Sequence, residues 1–298
     1  MNWNKTNLSI LYAIALSIAL FFLIGCLKKV EDNPKPITVE KVVTGDNGEV
    51  QTIKTQLYDG KNRYQIGLEV TKDNEKIKNF LIKNWTQVGF KVTASGVEAS
   101  YFTVDNIGQS QTFTNQAGAR ILGDGVYFHD FTISNTGYDG LGIQGKNTII
   151  RKGKLLNIAT IGHTNGDGIM FMVGGTGSVY DTYVELKSFV KHCIKGSADN
   201  RSTLFDAIGN TCIGGASGII ASPLSVIKDN KISGQQSNPE TGIEGRGIVL
   251  TNFKGVCSGN TLTNCPVGIL VSNSPDLDIN KLRQGNTFIN CTIDIKVK

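Results

Sequence analysis

Hydrophobic and polar positions in the second half of the chain follow a pattern that returns every 21 to 29 residues, by subtraction. Each occurrence is a small residue, then an aliphatic residue, then a short apolar run. A unit of that length cannot bury its own apolar face, so the pattern predicts coils that stack on one another. The six occurrences are Gly140-Leu141, Gly168-Ile169, Cys193-Ile194, Gly218-Ile219, Gly247-Ile248 and Gly268-Ile269.

A second series, out of phase with the first, places an inward apolar residue two positions before Asn or Gly. Turn residues separate these short runs, and no long helical period follows residue 118. The pattern predicts an all-β, right-handed parallel β-helix whose equivalent positions form columns about 4.8 Å apart. A β-sandwich is the second choice, because its pattern would not return in register. The series comprises Asp130–Ile133–Asn135, Phe205–Ile208–Asn210, Asp229–Ile232–Gly234, Gly259–Leu262–Asn264 and Gly285–Phe288–Asn290.

The N-terminus carries an export signal. Lys5 precedes an apolar stretch, Leu8–Ile24, that is followed by Gly25-Cys26, and this order is typical of a secretory signal. The four residues Leu-Ile-Gly-Cys that end at Cys26 resemble the bacterial lipoprotein processing box, which implies acylation of that cysteine. An uncleaved transmembrane anchor is the alternative, because about 17 apolar residues could marginally span a bilayer. We predict an exported, membrane-anchored lipoprotein with a signal peptide at 1–25 and a tether at 26–40.

Residues 41–118 do not show the repeat. We predict that they form a lead-in that caps the first coil. Within them, Asn74–Gly89 spaces its apolar residues as a helix does, so we expect one short helix there. Such a cap would cover the strand edge that the first coil otherwise leaves unpaired. The parallel β-helix itself is predicted for 119–298.

Composition narrows the class of protein and its partners. A chain of 298 residues with 40% apolar content can bury a large core. A scattered net charge of +5 excludes a nucleic-acid partner and permits weak attraction to acidic polysaccharide or anionic lipid. Cys265 and Cys291 occupy matching repeat positions, where either a disulfide or two buried thiols would fit. No C-x-x-C pair or Cys/His ligand spacing occurs, so the sequence does not favour a structural zinc site.

The candidate chemistry lies in the column just before the repeated pair. Asp139, Asp167 and His192 occupy this position in three successive coils. If the register holds, the two carboxylates lie about 5 Å apart. They could then hold Ca²⁺ or serve as an acid–base pair for glycoside cleavage. The alternative is turn chemistry, in which each Asp of an Asp-Gly pair bonds to nearby backbone.

The repeat resembles the right-handed parallel β-helix superfamily, which includes pectate lyases, polygalacturonases and many surface carbohydrate-active proteins. Asn165-Gly166-Asp167-Gly168-Ile169 is similar to the Asn-Thr-Asp-Gly segment of polygalacturonase-type hydrolases. However, Lys191-His192-Cys193 stands where that family carries two adjacent aspartates, and its later Gly-His and Arg-Ile-Lys segments are absent. Glycoside hydrolysis is therefore the less favoured activity.

Pectate lyases resemble the same region more loosely, through residue types. They use Ca²⁺ on carboxylates and an Arg or Lys base that removes the proton beside the uronate carboxyl. The resemblance implies a lyase-like site. We predict catalytic roles for Asp139, Asp167, His192 and Lys195, substrate contacts for Tyr138, His163, Lys191 and Arg201, and calcium ligation by Asp139 and Asp167.

The next outward column becomes apolar toward the C-terminus, since it reads Gly142, Met170, Lys195, Ile220, Val249 and Leu270. Its apolar half requires cover, either from residues 37–118 or from a second subunit in a homo-oligomer. Two functions remain open at this stage. One is a membrane-tethered protein that binds or acts on polysaccharide as a lyase would. The other is a non-catalytic surface lipoprotein that binds envelope glycan or has a structural role.

Overall fold

The computed structural model describes residues 34–44, 50–109, 116–160, 166–187, 191–196 and 203–298. They form an all-β parallel β-solenoid of about nine turns, which confirms the predicted fold class. The predicted signal peptide, Cys26 and most of the tether lie outside the described residues and stay predictions. Within the described residues, no helix has the length and apolar character needed to cross a bilayer.

The strands and the one described helix, α1, follow each other in chain order. They are β1 (Ile37–Thr44), β2 (Val50–Asp59), β3 (Ile66–Val70), β4 (Lys76–Trp85), β5 (Val88–Val92), β6 (Glu98–Ile107), β7 (Ala117–Ile121), β8 (Tyr127–Thr136), β9 (Asp139–Ile143), β10 (Thr148–Ile158), β11 (Ile169–Phe171), β12 (Thr176–Tyr180), β13 (Tyr183–Leu186), β14 (His192–Gly196), β15 (Leu204–Ile208), β16 (Thr211–Ile213), β17 (Ser217–Ala221), β18 (Val226–Lys228), β19 (Lys231–Ser233), β20 (Arg246–Thr251), β21 (Val256–Ser258), β22 (Thr261–Thr263), β23 (Val267–Ser272), α1 (Ile279–Gln284), β24 (Thr287–Ile289) and β25 (Ile293–Val297).

Two sheets form the walls of the solenoid. The first sheet runs β1-β2-β4-β6-β8-β10-β13-β16-β19-β22-β24, with β12, β15, β18 and β21 as a side branch from β10. The second sheet runs β3-β5-β7-β9-β11-β14-β17-β20-β23-β25. Only the β1–β2 pair of the described strands is antiparallel. The core lies between the two sheets and is filled by their inward side chains.

The register of the second sheet matches the repeat seen in the sequence. Leu141, Ile169, Ile194, Ile219, Ile248 and Ile269 pair successively along one column. The residue before each must be small because the two sheets approach closely there. A Cβ on Gly168, for example, would lie 2.4 Å from Cγ1 of Val184 in the first sheet. The small residue of the repeat therefore recurs because the two sheets approach each other closely in every coil.

The coils begin earlier in the chain than the sequence indicated. The inward column continues backward from Leu141 through Ala119 and Phe90 to Leu68. Residues predicted to form a separate lead-in therefore belong to the solenoid.

The helix predicted over Asn74–Gly89 is wrong, because this segment contains the strand β4. Asn79 and Asn84 adopt left-handed backbone, with φ of 58° and 61°, and each adds one residue between inward positions. The buried side chains are consequently spaced by three in places, as they are in a helix. The described helix, α1, lies near the C-terminus, where Asp278 caps it by accepting from the backbone N–H groups of Asn280 and Lys281.

The first sheet bends at a corner column in which left-handed backbone recurs from coil to coil. After β10 the strand is interrupted at this corner, so each later coil contributes two short strands in place of one long strand. The residues with positive φ in the corner column are Asn79, Tyr101, Asp130, Lys152, Asp181, Gly209, Asp229 and Gly259.

The inward column after the corner changes its chemistry along the axis. Phe80, Phe102 and Phe131 form a stack with ring centroids 4.9 and 5.1 Å apart. Gly153 ends the stack, because a Cβ there would lie 2.4 Å from the ring of Phe131. Thr182 follows, and its hydroxyl accepts from the backbone N–H of Gly153 at 3.3 Å.

Four buried asparagines then form a ladder in the same column. Each side-chain amide donates to the next side-chain carbonyl, at 3.0, 2.9 and 2.9 Å. The register of these strands also corrects one member of the second sequence series. Ile232 pairs with Cys212, and not with Ile208 as the series predicted. The ladder residues are Asn210, Asn230, Asn260 and Asn286.

Candidate functional site

The site column, defined as Asp139, Asp167 and His192, is present on the second sheet as the sequence predicts. Asp139 begins β9, Asp167 lies two residues before the start of β11, and His192 begins β14. The backbone N–H of Gly140 donates to the carbonyl of Asp167, and that of Gly168 donates to the carbonyl of His192, both at 2.9 Å. The three residues therefore occupy successive rungs.

Each carboxylate of the site column bonds to backbone on the next rung. Asp139 Oδ1 accepts from the N–H of Asp167 at 2.8 Å, and Asp167 Oδ1 accepts from the N–H of His192 at 3.1 Å. One oxygen of each carboxylate thus bonds to nearby backbone, as the turn-chemistry alternative predicts. The second oxygens face cations: Asp139 Oδ2 lies 3.9 Å from Arg120 Nη2, and Asp167 Oδ2 lies 3.6 Å from Lys195 Nζ.

The carboxyl group of Asp139 has a strongly shifted pKa. Burial raises the pKa to about 6, and the negative charge of Asp167 acts in the same direction. The N–H donated by Asp167 and the charges of Arg120 and Lys191 oppose this rise without cancelling it. Asp139 therefore changes its charge close to neutral pH, which is unusual for an aspartate.

The imidazole of His192 shifts in the opposite direction. Burial lowers its pKa to about 4, and Lys195, Lys191 and Arg246 add to the effect, whereas Asp167 opposes it. Among the described residues, the buried Nδ1 atom has no hydrogen-bond partner. Burial also lowers the pKa of Lys191. At pH 7 the site thus holds a neutral imidazole among several cations.

Arg120 was missed at the sequence level and lies within this site. Its side chain is 14% exposed and passes over Gly142, where a Cβ would lie 3.7 Å from the guanidinium carbon. Nη1 is 3.1 Å from the sulfur of Met172, and the buried Nε has no partner among the described residues. Gly118-Ala119-Arg120 aligns with Gly140-Leu141-Gly142, so extending the repeat by one coil would have found it.

Arg246 is a second residue that sequence reasoning left out. It lies in the same column two rungs beyond His192, after Ser217. Its position was visible in the aligned repeats, but an arginine on a strand carries no signal by itself. In the structure its positive charge helps to lower the pKa of the His192 imidazole.

The other predicted site residues divide into three groups. Lys191 and Lys195 belong to the cluster. Tyr138 is half-buried beside Asp139, and its backbone carbonyl accepts from the hydroxyl of Thr136 at 3.0 Å. His163 and Arg201 lie outside the described residues, so their contacts with substrate stay predictions.

The donor set does not favour calcium at Asp139 and Asp167. One oxygen of each carboxylate already accepts a backbone N–H, and the other faces Arg120 or Lys195. Ca²⁺ takes six to eight oxygen ligands, and no group of three or more His, Cys, Asp or Glu side chains in the described part of the chain could hold a metal. Calcium dependence stays a prediction, and no catalytic step below uses it.

The outward apolar stripe has the predicted register but is largely covered. Ile220, Val249 and Leu270 pair in order along the second sheet. Val249 and Leu270 are each only 7% exposed and pack with Val267. The described residues of 37–118 form earlier coils of the solenoid and do not cover the stripe, which corrects that expectation for them. Self-association through the stripe is untested and stays a prediction.

The fold and the site together define a parallel β-solenoid with a cluster of charged residues on its second sheet. No protein-family model matches the chain, and no curated protein matches it either. Among solved structures, the chain is similar to the alginate lyase from Paenibacillus sp. str. FPU-7, with a TM-score of 0.57 and 12% sequence identity. The match covers 82% of this chain and 88% of that one, and shows a shared fold.

Proposed function

We propose that this protein binds an acidic polysaccharide along the outer face of the second sheet and cleaves it by β-elimination. The observation that carries the proposal is the neutral imidazole of His192 within a group of four cations. These cations are Arg120, Lys191, Lys195 and Arg246. The shared fold with an alginate lyase supports a polysaccharide as the substrate class.

The chemistry follows from what a uronate ring brings to the site. Its carboxylate would meet Arg120 and Lys195, and neutralising that charge makes the adjacent C–H more acidic. A neutral imidazole can accept this proton. The electron pair left on the ring carbon forms a carbon–carbon double bond as the neighbouring glycosidic C–O bond breaks, and the departing oxygen takes up a proton from water. Burial is the main cause of the low pKa of His192 in the free protein, and the surrounding cations lower it further. A bound carboxylate would offset the part of the shift that the cations cause, so the imidazole becomes a stronger base when substrate is present.

The test is an elimination assay on acidic polysaccharides. The chain from residue 27 onward is incubated with polygalacturonate and with alginate, and the absorbance of unsaturated products is followed. We expect product formation, and a loss of about 100-fold or more in kcat for His192→Asn. Lys228→Ala on the first sheet is the matched control and should leave the rate unchanged. Parallel assays with added calcium and with a chelator test the calcium prediction.

A non-catalytic glycan-binding protein is the second candidate. It is favoured by the hydrogen bonds from backbone N–H groups to both carboxylates, which give them a structural role. Acidic oligosaccharide binding that is lost in Lys195→Ala, without any unsaturated product, would establish this alternative. If neither product nor binding is detected, both functions are wrong for this site.

We also propose that the protein is exported and attached to a membrane through a lipid on Cys26. The Leu-Ile-Gly-Cys segment after an apolar stretch supports this assignment. Cells that produce the full chain or Cys26→Ser are labelled with palmitate and fractionated. We expect label and membrane association for the unaltered chain alone. A Cys26→Ser variant that remains in the membrane fraction would favour the uncleaved anchor.

A further inference from the structure

The outer face of the first sheet carries a group of three contacting rings, here named the aromatic platform: Tyr101, Tyr127 and His129. Tyr127 stacks on His129 with ring centroids 4.5 Å apart and planes at 25°. Tyr101 meets His129 edge-on at 6.1 Å and is 61% exposed. This platform lies on the opposite sheet from the site column, and the proposed elimination does not use it.

Polar contacts fix the central ring of the platform. His129 Nδ1 lies 2.7 Å from Asp130 Oδ2, and Nε2 lies 3.4 Å from Glu98 Oε1. Glu98 is held in turn by Lys76, whose Nζ is 2.8 Å from Oε2. A surface whose rings are already oriented loses little conformational entropy when it binds a ligand.

The backbone of Tyr101 is strained. Tyr101 has a φ of 53° and belongs to the corner column, where other coils place Asn, Asp, Lys or Gly. Asn and Asp tolerate left-handed backbone, whereas a bulky aromatic residue there is an outlier. Such strain concentrates at binding sites, where the side chain is retained for its function. Packing gives no reason for the ring, since most of it is exposed to solvent.

The platform continues along the axis into a cavity of about 300 Å³. In the outward column, Tyr127 is followed by Ile149 and Ser178 on the next two rungs. Ile149 and Leu204, which are 41% and 43% exposed, give the cavity apolar surface. Asn147, Thr176, Ser178 and Asp206 give it polar groups.

Charges of both signs lie along this groove: Lys76 pairs with Glu98 at 2.8 Å, and Arg151, on the rung after His129, lies 3.5 Å from Asp181. Among the residues that line the cavity, Asp206 is the charged one, and its Oδ1 accepts from the backbone N–H of Val226 at 2.8 Å. Glu98 and Asp130 add carboxylates beside the platform. The neighbouring charges are therefore largely compensated by one another, which suits an uncharged ligand better than an acidic one.

We propose that the aromatic platform and the adjoining cavity form a binding site for a neutral oligosaccharide, separate from the site column. The apolar C–H face of a pyranose ring fits against Tyr101 and Tyr127, because aromatic side chains offer broad, rigid, amphipathic contact. Sugar hydroxyls reach Asn147, Ser178 and Asp206, which supply the few oriented polar groups that such sites use. The inference does not depend on the proposed elimination.

Isothermal titration calorimetry on the chain from residue 27 onward tests this site. The probes are tetrasaccharides of glucose, mannose and galactose, with an alginate tetrasaccharide as the acidic comparison. We expect at least one neutral probe to bind, and Tyr101→Asn and Tyr127→Ala each to weaken that binding at least tenfold. Tyr101→Phe keeps the ring and is expected to bind as the unaltered protein does.

Matched variants keep the proposal falsifiable. Tyr101→Asn places a residue suited to left-handed backbone at the corner, so a loss of binding cannot come from unfolding. His192→Asn should leave neutral binding unchanged while it lowers the kcat of elimination by about 100-fold or more, which separates the two sites. The proposal is overturned if no neutral probe binds, if binding is insensitive to Tyr101→Asn, or if only the acidic probe requires the platform.

Discussion

Two titratable residues on nearby rungs, Asp139 and His192, are driven toward their neutral forms by the same burial. For the aspartate, the folded pKa is about 6 and the ordinary value is 3.8. For the histidine, the folded pKa is about 4 and the ordinary value is 6.5. The two residues therefore make stability depend on pH in opposite directions over nearly the same range. In the unaltered protein these two effects partly cancel.

Asp139→Asn should remove the first of these effects. Between pH 3.8 and about 6 the folded state binds more protons than the unfolded state, so the Asp139 contribution falls as pH rises. The amide keeps the acceptor for the N–H of Asp167. Relative to the unaltered protein, the variant should gain up to about 3 kcal/mol on going from acid to neutral pH. Denaturation at a series of pH values measures this, and a gain that appears on acidification would contradict it.

His192→Asn should show the opposite trend. Between about pH 4 and 6.5 the unfolded state binds the additional proton, so the His192 contribution is lost as pH falls. The variant should therefore gain stability relative to the unaltered protein on acidification, by up to about 3 kcal/mol. The same pH series serves as the measurement, with Lys228→Ala as a control of unchanged slope. Parallel curves for the variant and the unaltered protein would refute the assignment.

At the scale of structural elements, the asparagine ladder replaces the packing that phenylalanines provide in earlier coils. Each ladder residue accepts from the backbone N–H of the residue one rung before it and donates to a carbonyl in the wall. Buried amides are stabilising when every donor and acceptor is satisfied, and costly when one is not. The short strands β15 to β22 therefore depend on an unbroken ladder.

Asn230→Ala should break this ladder at its middle. The carbonyl of Ala207 loses its donor, and the backbone and side-chain N–H groups of Asn210 both lose their acceptor. We expect a loss of about 3 kcal/mol or more in the free energy of unfolding, measured by denaturant titration. Asn280→Ala, in the exposed face of α1, is the matched control and should change stability by less than about 0.5 kcal/mol. Equal effects of the two substitutions would show that the ladder contributes no stability.

In the last two coils, Cys265 and Cys291 were predicted to form either a disulfide or two buried thiols, and labelling can distinguish the two. The structure has both as free thiols, and Cys265 Sγ donates to Gln235 Oε1 at 3.2 Å. Burial raises the pKa of Cys265 to about 12, so its thiol should resist alkylation in the folded protein. After unfolding without reductant, mass spectrometry should show labels on Cys193, Cys212, Cys257, Cys265 and Cys291. A product without labels on Cys265 and Cys291 would demonstrate the disulfide.

At the scale of the whole molecule, the two sheets present surfaces of different character. The second sheet carries Arg120, Lys195 and Arg246 beside a neutral imidazole, and the first sheet carries the aromatic platform and Asp206. Salt screens charges over a Debye length of about 10 Å at 0.1 M. Raising the salt concentration should therefore weaken the binding of acidic oligosaccharide by about tenfold or more and leave neutral binding within about twofold. Equal salt dependence at both surfaces, measured by calorimetry, would contradict this division of roles.

The sequence predicted the fold because stacking forces equivalent residues into columns, and the column from Leu141 to Ile269 is visible as a repeat. The column of Asp139, Asp167 and His192 followed from the same register. The early coils were missed because left-handed residues such as Asn79 shift the inward spacing until it imitates a helix. Arg120 was missed because the aligned repeats began one coil later, at Gly140. The pKa values of Asp139 and His192 depend on burial by neighbouring coils, which no local pattern reports.

The change from stacked rings to paired amides along the corner has a consequence for building longer or shorter versions of this protein. A coil that is duplicated in place extends the contact that its neighbours already make. An aromatic coil can be added next to Phe102, and an amide coil can be added next to Asn230. A coil moved from one segment to the other would place a ring against an amide that needs a partner. Gly153 and Thr182 are the residues at which the two interiors can meet. The solenoid is thus modular within each segment and directional across the junction.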